Sequence, residues 1–192
     1  MTKSELRKIY LAKQSSLSRE DRAAESRQIS DRFFREFDLE TIKFLHCFIA
    51  IEKFNEVDTT LIFERLWREF PRVTTVVPRV DIETDEMQSL KFTSGTSLVK
   101  NVWDIDEPTH DECIETELID IVLVPLLCFD EAGHRVGYGK GFYDRFLSRC
   151  RMDCLKIGLS FFSPVEAIDD AGSLDVELDF CIMADTVLAS KK

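Results

Sequence analysis

The sequence predicts an α/β fold: a three-layer sandwich with a mostly parallel sheet and helices on both faces. Short apolar runs, typical of strands buried on both sides, alternate with segments whose apolar residues recur every three or four positions, as in amphipathic helices. A glycine-rich loop follows one of the longest apolar runs. Because strands that alternate with helices pack as a covered parallel sheet, we expect a single domain over residues 1–192.

Helices are predicted where an apolar stripe follows a capping residue. In the first, Lys3 and Arg7 are four residues apart and share one face. Ser18 and Asp58 are the expected N-caps of the second and third, and the fourth begins directly after the glycine loop. The predicted helices cover residues 3–13, 18–37, 58–70 and 142–149.

Strands are predicted at the short apolar runs. The run at 73–77 is β-branched and stops before Pro78, and the run at 121–129 is the longest. Residues 104–117 are acidic and are predicted to be irregular. The predicted strands cover residues 44–51, 73–77, 90–93, 121–129, 155–160 and 180–184.

Charge and composition limit the class of partner. The chain has 192 residues, 44% of them hydrophobic, and a formal net charge of −11. This charge argues against nucleic acid as a partner, since neutralising phosphates requires a basic face. A small anion is still compatible, because five arginines and lysines cluster within residues 135–151. The acidic runs at 81–86, 104–117 and 166–179 are interpreted as solvated loops.

The cysteines and the chain's hydropathy indicate a reducing cytoplasm. None of the six cysteines forms a Cys-x-x-Cys pair, so zinc-site spacing is absent. Cys47, Cys128 and Cys181 lie within apolar runs and are predicted to be reduced core residues. No secretory signal and no apolar run of membrane-spanning length is visible. We therefore expect a cytoplasmic protein without a membrane partner, and a monomer.

The glycine-rich loop is the strongest functional signal. Residues 124–145 read VPLLCFDEAGHRVGYGKGFYDR, with glycines alternating at 137, 139 and 141 and with Arg135 and Lys140 among them. A strand, a glycine loop and a helix start together can bind an anion through bare backbone N–H groups. The Walker pattern does not fit, because His134 and Gly141 occupy two of its required positions, and Phe142 replaces the third glycine of the dinucleotide pattern. The alternative is a tight turn that binds nothing.

The loop sequence RVGYGKGFYDR, preceded by VPLLCFD, closely resembles the signature of the 5-formyltetrahydrofolate cyclo-ligases. Further segments that resemble this family occur in the same order along most of the chain. They are KSELR at 3–7, EVDT at 56–59 and IDEP at 105–108. The resemblance implies a three-layer α/β sandwich and the ATP-dependent closure of 5-formyltetrahydrofolate to 5,10-methenyltetrahydrofolate, with release of ADP and phosphate. The implied partners are ATP, Mg²⁺ and a folate that carries one or more glutamates.

The resemblance, together with the residue types, implies a set of site residues. Lys140 is expected at the transferring phosphate and Arg135 at the nucleotide phosphates, and with Tyr143 they form the expected catalytic group. Asp144, a hard oxygen donor, is the expected magnesium ligand. The expected ATP-binding residues are Lys3, Arg7, Arg135, Val136, Gly137, Tyr138, Gly139, Lys140, Gly141, Phe142 and Tyr143. The expected folate-binding residues are Ile49, Glu56, Trp103, Tyr138, Gly139, Lys140, Gly141 and Phe142.

Several of these residues have a plainer interpretation. Lys3 and Arg7 could be a solvated cationic face, Glu56 a solvated loop carboxylate, and Asp144 a charge at a helix start. The second metal ligand is open: Cys181 stands where the resemblance implies an acid in the final strand, and Asp179 lies two residues before it. We expect Asp144, water and the ATP phosphates to hold the metal without either of them. For the whole chain, the alternatives are a phosphate-ligand-binding protein, or a sugar-phosphate isomerase or CoA-transferase-like enzyme on a similar fold. A redox or interaction protein built on the cysteines is a third.

Overall fold

The computed structural model describes residues 1–81, 84, 86–102 and 105–191. Within these residues, the helices longer than one turn are α1 Lys3–Ser15, α2 Arg19–Glu36, α3 Thr60–Glu69 and α4 Phe142–Leu147. The strands are β1 Phe44–Cys47, β2 Thr74–Asp81, β3 Glu86–Lys91, β4 Leu98–Lys100, β5 Asp106–Pro108, β6 Cys113–Ile114, β7 Ile121–Pro125, β8 Cys128–Phe129, β9 Arg135–Val136, β10 Leu155–Leu159, β11 Phe180–Ile182 and β12 Val187–Ala189.

The predicted mostly parallel sheet is confirmed. Among the described residues, eight strands pair in the order β12-β11-β10-β7-β1-β2-β3-β6. The five strands from β11 to β2 run parallel, and β12, β3 and β6 each pair antiparallel with a neighbour. Two small antiparallel sheets, β4–β5 and β8–β9, lie outside it.

The two faces of the sheet carry separate cores, as the three-layer prediction requires. On one face, Ile121 and Leu123 of β7 pack in the cluster that contains Phe33 of α2 and Leu66 of α3. On the other, Val122 and Val124 of β7 belong to the cluster that contains α4. This two-residue alternation explains why β7 is buried on both sides. α1 packs instead on the β8–β9 hairpin, through Leu6 and Tyr10.

The predicted strand at 121–129 is wrong in its second half. β7 ends at Pro125, and Cys128 and Phe129 pair with β9 in a hairpin. The Asp130 side chain closes its turn, because Oδ1 accepts from the N–H groups of Ala132 at 3.1 Å and His134 at 3.0 Å. The glycine loop therefore follows this hairpin, rather than the central strand itself.

Other bounds also differ from prediction. β1 stops at Cys47 instead of residue 51, β3 covers 86–91 instead of 90–93, and α4 ends at Leu147. β2 continues through Pro78, where its partner is the antiparallel β3, because its pairing with β1 ends at Val76. The interval 104–117, predicted to be irregular, contains β5 and β6.

Candidate active site

The first helix and the glycine loop contact each other through Arg7. Arg7 Nε donates to the Gly137 carbonyl oxygen at 2.9 Å. Gly139 has φ of +92°, and a Cβ built there would lie 3.1 Å from Arg7 Cζ. Position 139 thus requires glycine for its backbone conformation and for the close approach of the guanidinium. Arg7 lies on the loop, and is not part of a solvated face.

Gly141 sets the geometry at the other end of the loop. Its φ of +68° places it in the left-handed region, directly before α4. Arg145 of α4 folds back and donates to the Lys140 carbonyl at 3.2 Å, while the Lys140 side chain itself is exposed. Because α4 has only six residues, its dipole is small, and the loop's cations carry more of the positive potential than the helix does.

Arg135 is buried in an ion pair with Asp144. Its Nη2 donates to Asp144 Oδ1 at 2.7 Å, its Nη1 donates to the Val176 carbonyl, and the Val176 N–H donates to the same Asp144 oxygen at 3.2 Å. Burial lowers the pKa of Arg135, and the Asp144 carboxylate opposes this. Arg135, the predicted phosphate ligand, thus forms an ion pair with Asp144, the predicted metal ligand. Each of them also hydrogen bonds to the backbone of Val176.

That segment contains an acid that the sequence interpretation missed. Asp175 pairs with Lys3, and its Oδ2 also accepts from the Gly172 N–H at 2.6 Å. Burial raises the pKa of Asp175, but the bonds from Lys3 and Gly172 and the charge of Arg135 bring it below its usual range. The interpretation of residues 166–179 as a solvated loop is therefore wrong for Asp175. Its only sequence signal was its place in the third acidic run, at residues 166–179.

Cys181 and Asp179 lie elsewhere. Asp179 accepts from the backbone N–H of Lys156 at 2.9 Å, at the start of β10, and forms an ion pair with the Lys156 ammonium at 3.3 Å. Cys181 is buried within β11, and its sulfur lies 3.2 Å from a Cβ built on Gly158. The contacts described for these residues tie Asp179 to β10 and Cys181 to the core, and the prediction that Asp144 holds the metal without either of them stays a prediction.

Glu56 is a buried carboxylate beside the glycine loop. It is 4% exposed, which excludes the solvated-loop alternative, and its Oε2 accepts from the Ile51 N–H at 2.7 Å. Burial raises its pKa to about 7, although the Ile51 N–H and the interacting Tyr138 hydroxyl both act to lower it. The Tyr138 ring stacks on Phe54 at 4.9 Å between centroids. Tyr138 therefore joins the expected folate element to the expected nucleotide loop.

Two polar atoms beneath the loop have no hydrogen-bond partner within the described part of the chain: the Tyr143 hydroxyl and His46 Nε2. His46 is fully buried, whereas Tyr143 is partly buried with an inaccessible hydroxyl oxygen, and their rings meet edge-on with centroids 6.1 Å apart. His46 Nδ1 lies 3.1 Å from Ser89 Oγ, and burial lowers the pKa of His46 to about 3, so the ring is neutral. A buried hydroxyl without a partner indicates that a ligand or water completes its hydrogen bonding.

The remaining predicted residues differ in exposure. Val136 is buried against α1, so that only its backbone can contact a ligand. Ile49 is half-buried at the α2–α3 core, and Phe142 is half-buried beneath the Arg145 guanidinium, 5.2 Å from its ring centroid. Trp103 lies outside the described residues.

Within the described ranges, no three His, Cys, Asp or Glu side chains are grouped so as to hold a metal by themselves. Likewise, no helix described here has the length and apolar character needed to span a bilayer. An open cavity of about 740 Å³ lies between α3 and the segment after β3, and none of its lining residues belongs to the predicted site.

Comparison with known proteins is consistent with this geometry. The model of the 5-formyltetrahydrofolate cyclo-ligase family matches residues 1–163. The chain belongs to this family. The 5-formyltetrahydrofolate cyclo-ligase of Mycoplasma genitalium is 30% identical over 184 residues, which cover 93% of this chain and 97% of that protein.

Solved structures of the cyclo-ligase fold superpose over nearly the whole chain. The 5,10-methenyltetrahydrofolate synthetase of Aquifex aeolicus has a TM-score of 0.84 and 29% identity, and covers 100% of this chain and 94% of its own. The synthetase of Mycoplasma pneumoniae has a TM-score of 0.76 and 27% identity, and covers 96% and 99%. The family match decides against the isomerase and CoA-transferase alternatives.

Proposed function

We propose that this protein catalyses the ATP- and Mg²⁺-dependent cyclisation of 5-formyltetrahydrofolate to 5,10-methenyltetrahydrofolate, with release of ADP and phosphate. The observation that carries the proposal is the convergence of Glu56, the glycine loop and the first helix on one place. Tyr138 interacts with Glu56, and Arg7 binds the same loop, so an acceptor for a pterin and cations for phosphates are side by side.

The chemistry requires two bonds to form in turn. The formyl oxygen attacks the terminal phosphorus of ATP, and ADP leaves. N10 of the folate then attacks the activated formyl carbon and gives up its proton, and the carbon–oxygen bond breaks to release phosphate. Phosphorylation is needed because an amide-like oxygen is a poor leaving group. Charge accumulates on the transferring group, so preorganised cations stabilise that step.

The residues are assigned by charge and position. Lys140 is exposed on the loop and binds the transferring phosphoryl group. Arg135 and Lys3 bind the other phosphates. In the empty protein Arg135 pairs with Asp144 and Lys3 with Asp175, and on ATP binding phosphate oxygens replace these carboxylates as partners. Glu56, as a carboxylate, accepts from the amide-type edge of the pterin. The Tyr143 hydroxyl, which has no hydrogen-bond partner among the described residues, hydrogen bonds to the bound folate or to an ordered water.

The donor set also fits magnesium. Asp144 pairs with the buried Arg135, and Asp175 is near enough for the Arg135 charge to lower its pKa. Both are hard carboxylate donors, and Mg²⁺ is usually held by one or two carboxylates together with phosphates and waters. Bound there, the ion neutralises charge on the nucleotide phosphates. We assign Asp144 as the principal ligand, as expected from the sequence, and Asp175 as the second acid.

Activity can be tested directly. Purified protein is incubated with 5-formyltetrahydrofolate and Mg-ATP while the absorbance of the methenyl product is followed. Product should form only when the 5-formyl isomer, ATP and magnesium are all present. Turnover of 10-formyltetrahydrofolate but not of the 5-formyl isomer would refute the proposal.

A further inference from the structure

Two cysteines flank the turn that connects α4 to β10. Cys150 follows α4, and its N–H donates to the Leu147 carbonyl at 3.2 Å; Cys154 immediately precedes β10, and its N–H donates to the Arg151 carbonyl at 3.1 Å. Both side chains belong to the core on the α4 face, where Cys150 is partly exposed and Cys154 is 1% exposed. Cys150 Sγ lies 3.7 Å from the Phe146 carbonyl oxygen and Cys154 Sγ lies 4.0 Å from the Leu155 carbonyl oxygen, and across the turn the two thiols are close enough to interact.

The surroundings of the pair make the two thiols unequal. The Cys154 thiol lowers the pKa of Cys150 most, against the effect of burial. The nearby cations Lys156 and Arg149 lower it further, whereas the Glu117 carboxylate raises it. The same interaction and burial raise the pKa of Cys154. A partly exposed thiol whose pKa is lowered, next to a buried thiol, is the arrangement of an oxidant-sensitive cysteine and its resolving partner.

The other cysteines provide internal controls. Cys47, Cys128 and Cys181 are buried, and burial raises the pKa of each thiol. Cys113 is exposed, at the edge strand β6. All six are free thiols. Cys113 therefore shows how an exposed cysteine reacts, and Cys47, Cys128 and Cys181 show how buried cysteines with raised pKa react. Both can be compared with Cys150 and Cys154 in the same molecule.

We propose that Cys150 and Cys154 form a dithiol that a hydroperoxide converts into an intramolecular disulfide. The Cys150 thiolate attacks the peroxide; its sulfur gains a hydroxyl group, the O–O bond breaks and the remaining oxygen leaves as water or an alcohol. The Cys154 sulfur then attacks the Cys150 sulfur, the S–O bond breaks and water leaves. Two thiols and one peroxide thus become one disulfide, and the sulfurs are oxidised while the peroxide is reduced.

The test is oxidation of the purified, full-length protein by hydrogen peroxide, followed by alkylation of the remaining thiols and digestion with trypsin. Cleavage after Arg149, Arg151 and Lys156 separates the two cysteines into different peptides. We expect a disulfide-linked pair of these peptides that disappears on reduction, and a loss of two of the six thiols in a titration under denaturing conditions.

Two cysteine variants test which thiols take part in the reaction. Cys113→Ser should leave the linked peptides unchanged. In Cys154→Ser, oxidation of Cys150 should stop at the sulfenic acid, which dimedone traps. The linked peptides from the unaltered protein are sufficient if that variant does not fold. Peroxide that first modifies Cys113, or that takes Cys150 to sulfinic acid without any linked peptide, would overturn the proposal.

Discussion

At the scale of single residues, the site depends on buried groups whose ionisation differs from that in water. Glu56 is the main example, because its carboxyl group is surrounded by protein and its pKa is raised to about 7. A pterin edge that donates two hydrogen bonds requires the carboxylate form. Folate binding and the stability of the empty protein therefore place opposite demands on this residue.

Glu56→Gln should stabilise the protein at pH 8 while weakening folate binding. Because the pKa of Glu56 is raised on folding from 4.5 to about 7, its favourable contribution is complete below pH 4.5 and is lost as the pH rises through 7. The penalty above pH 7 is at most about 3 kcal/mol, and a neutral amide avoids it. Thermal unfolding at pH 5 and pH 8 measures this. If the variant and the unaltered protein differed in stability by the same amount at pH 5 and at pH 8, a raised pKa of Glu56 would be contradicted.

Lys140→Met should lower kcat by about 10²-fold or more, as removal of other preorganised electrostatic groups does. The substitution keeps an unbranched side chain of nearly the same length and removes the charged ammonium group. Steady-state kinetics with ATP and folate varied separately check this. An unchanged kcat with a raised KM for ATP would mean that Lys140 binds the ground state and the transition state equally.

At the scale of elements, the glycine loop works because its backbone adopts conformations that other residues avoid. Only two of its three glycines, Gly139 and Gly141, have positive φ. Gly137 has an ordinary φ, and a Cβ built there would meet nothing within 4 Å. The three positions are thus equivalent in sequence but not in structure.

Gly139→Ala should cost about 1–2 kcal/mol of stability, because an L-residue is strained at this φ, and should also weaken ATP binding by displacing Arg7. Gly137→Ala is the matched control and should unfold at nearly the same denaturant concentration as the unaltered protein. Chemical denaturation of both variants, with ATP titration of the first, tests this. Similar destabilisation in both would show that the backbone conformation is not the cause.

Sequence patterns predicted the elements with strong hydrophobic signals and missed the weak ones. β7 and the apolar stripes of α2 and α3 were recognisable because burial on a whole face requires a continuous pattern. β4, β5, β6 and β12 are two or three residues long, are partly exposed and depend on tertiary pairing. The hairpin within 121–136 was hidden because β7 and β8 are both apolar and separated by only two residues.

At the scale of the whole molecule, the site joins parts of the chain that are far apart in sequence. The composition and the resemblance selected Lys3, Arg7, Glu56 and the loop. They could not show that Arg135 pairs with Asp144, because that pairing depends on where the segment around Val176 packs. For the same reason, the acidic run that contains Asp175 could not show its pairing with Lys3, and the burial of His46 beside Tyr143 had no local signal.

Asp144→Asn should sharply raise the magnesium concentration needed for half-maximal rate, while Asp179→Asn should change it little. Asp144 lies at the glycine loop, whereas Asp179 pairs with Lys156 at the start of β10. Rates measured across a magnesium series for both variants decide this. A larger effect at Asp179 than at Asp144 would place the metal elsewhere.

The interaction between Tyr138 and Glu56 has a thermodynamic consequence. Because one residue belongs to the nucleotide loop and the other to the folate element, ATP and folate should bind cooperatively. By linkage, each must then change the affinity of the other by the same factor. Calorimetric titration of folate with and without a non-hydrolysable ATP analogue measures that factor, and so does the reverse experiment. In Tyr138→Phe both factors should approach one together, so that the two substrates bind independently.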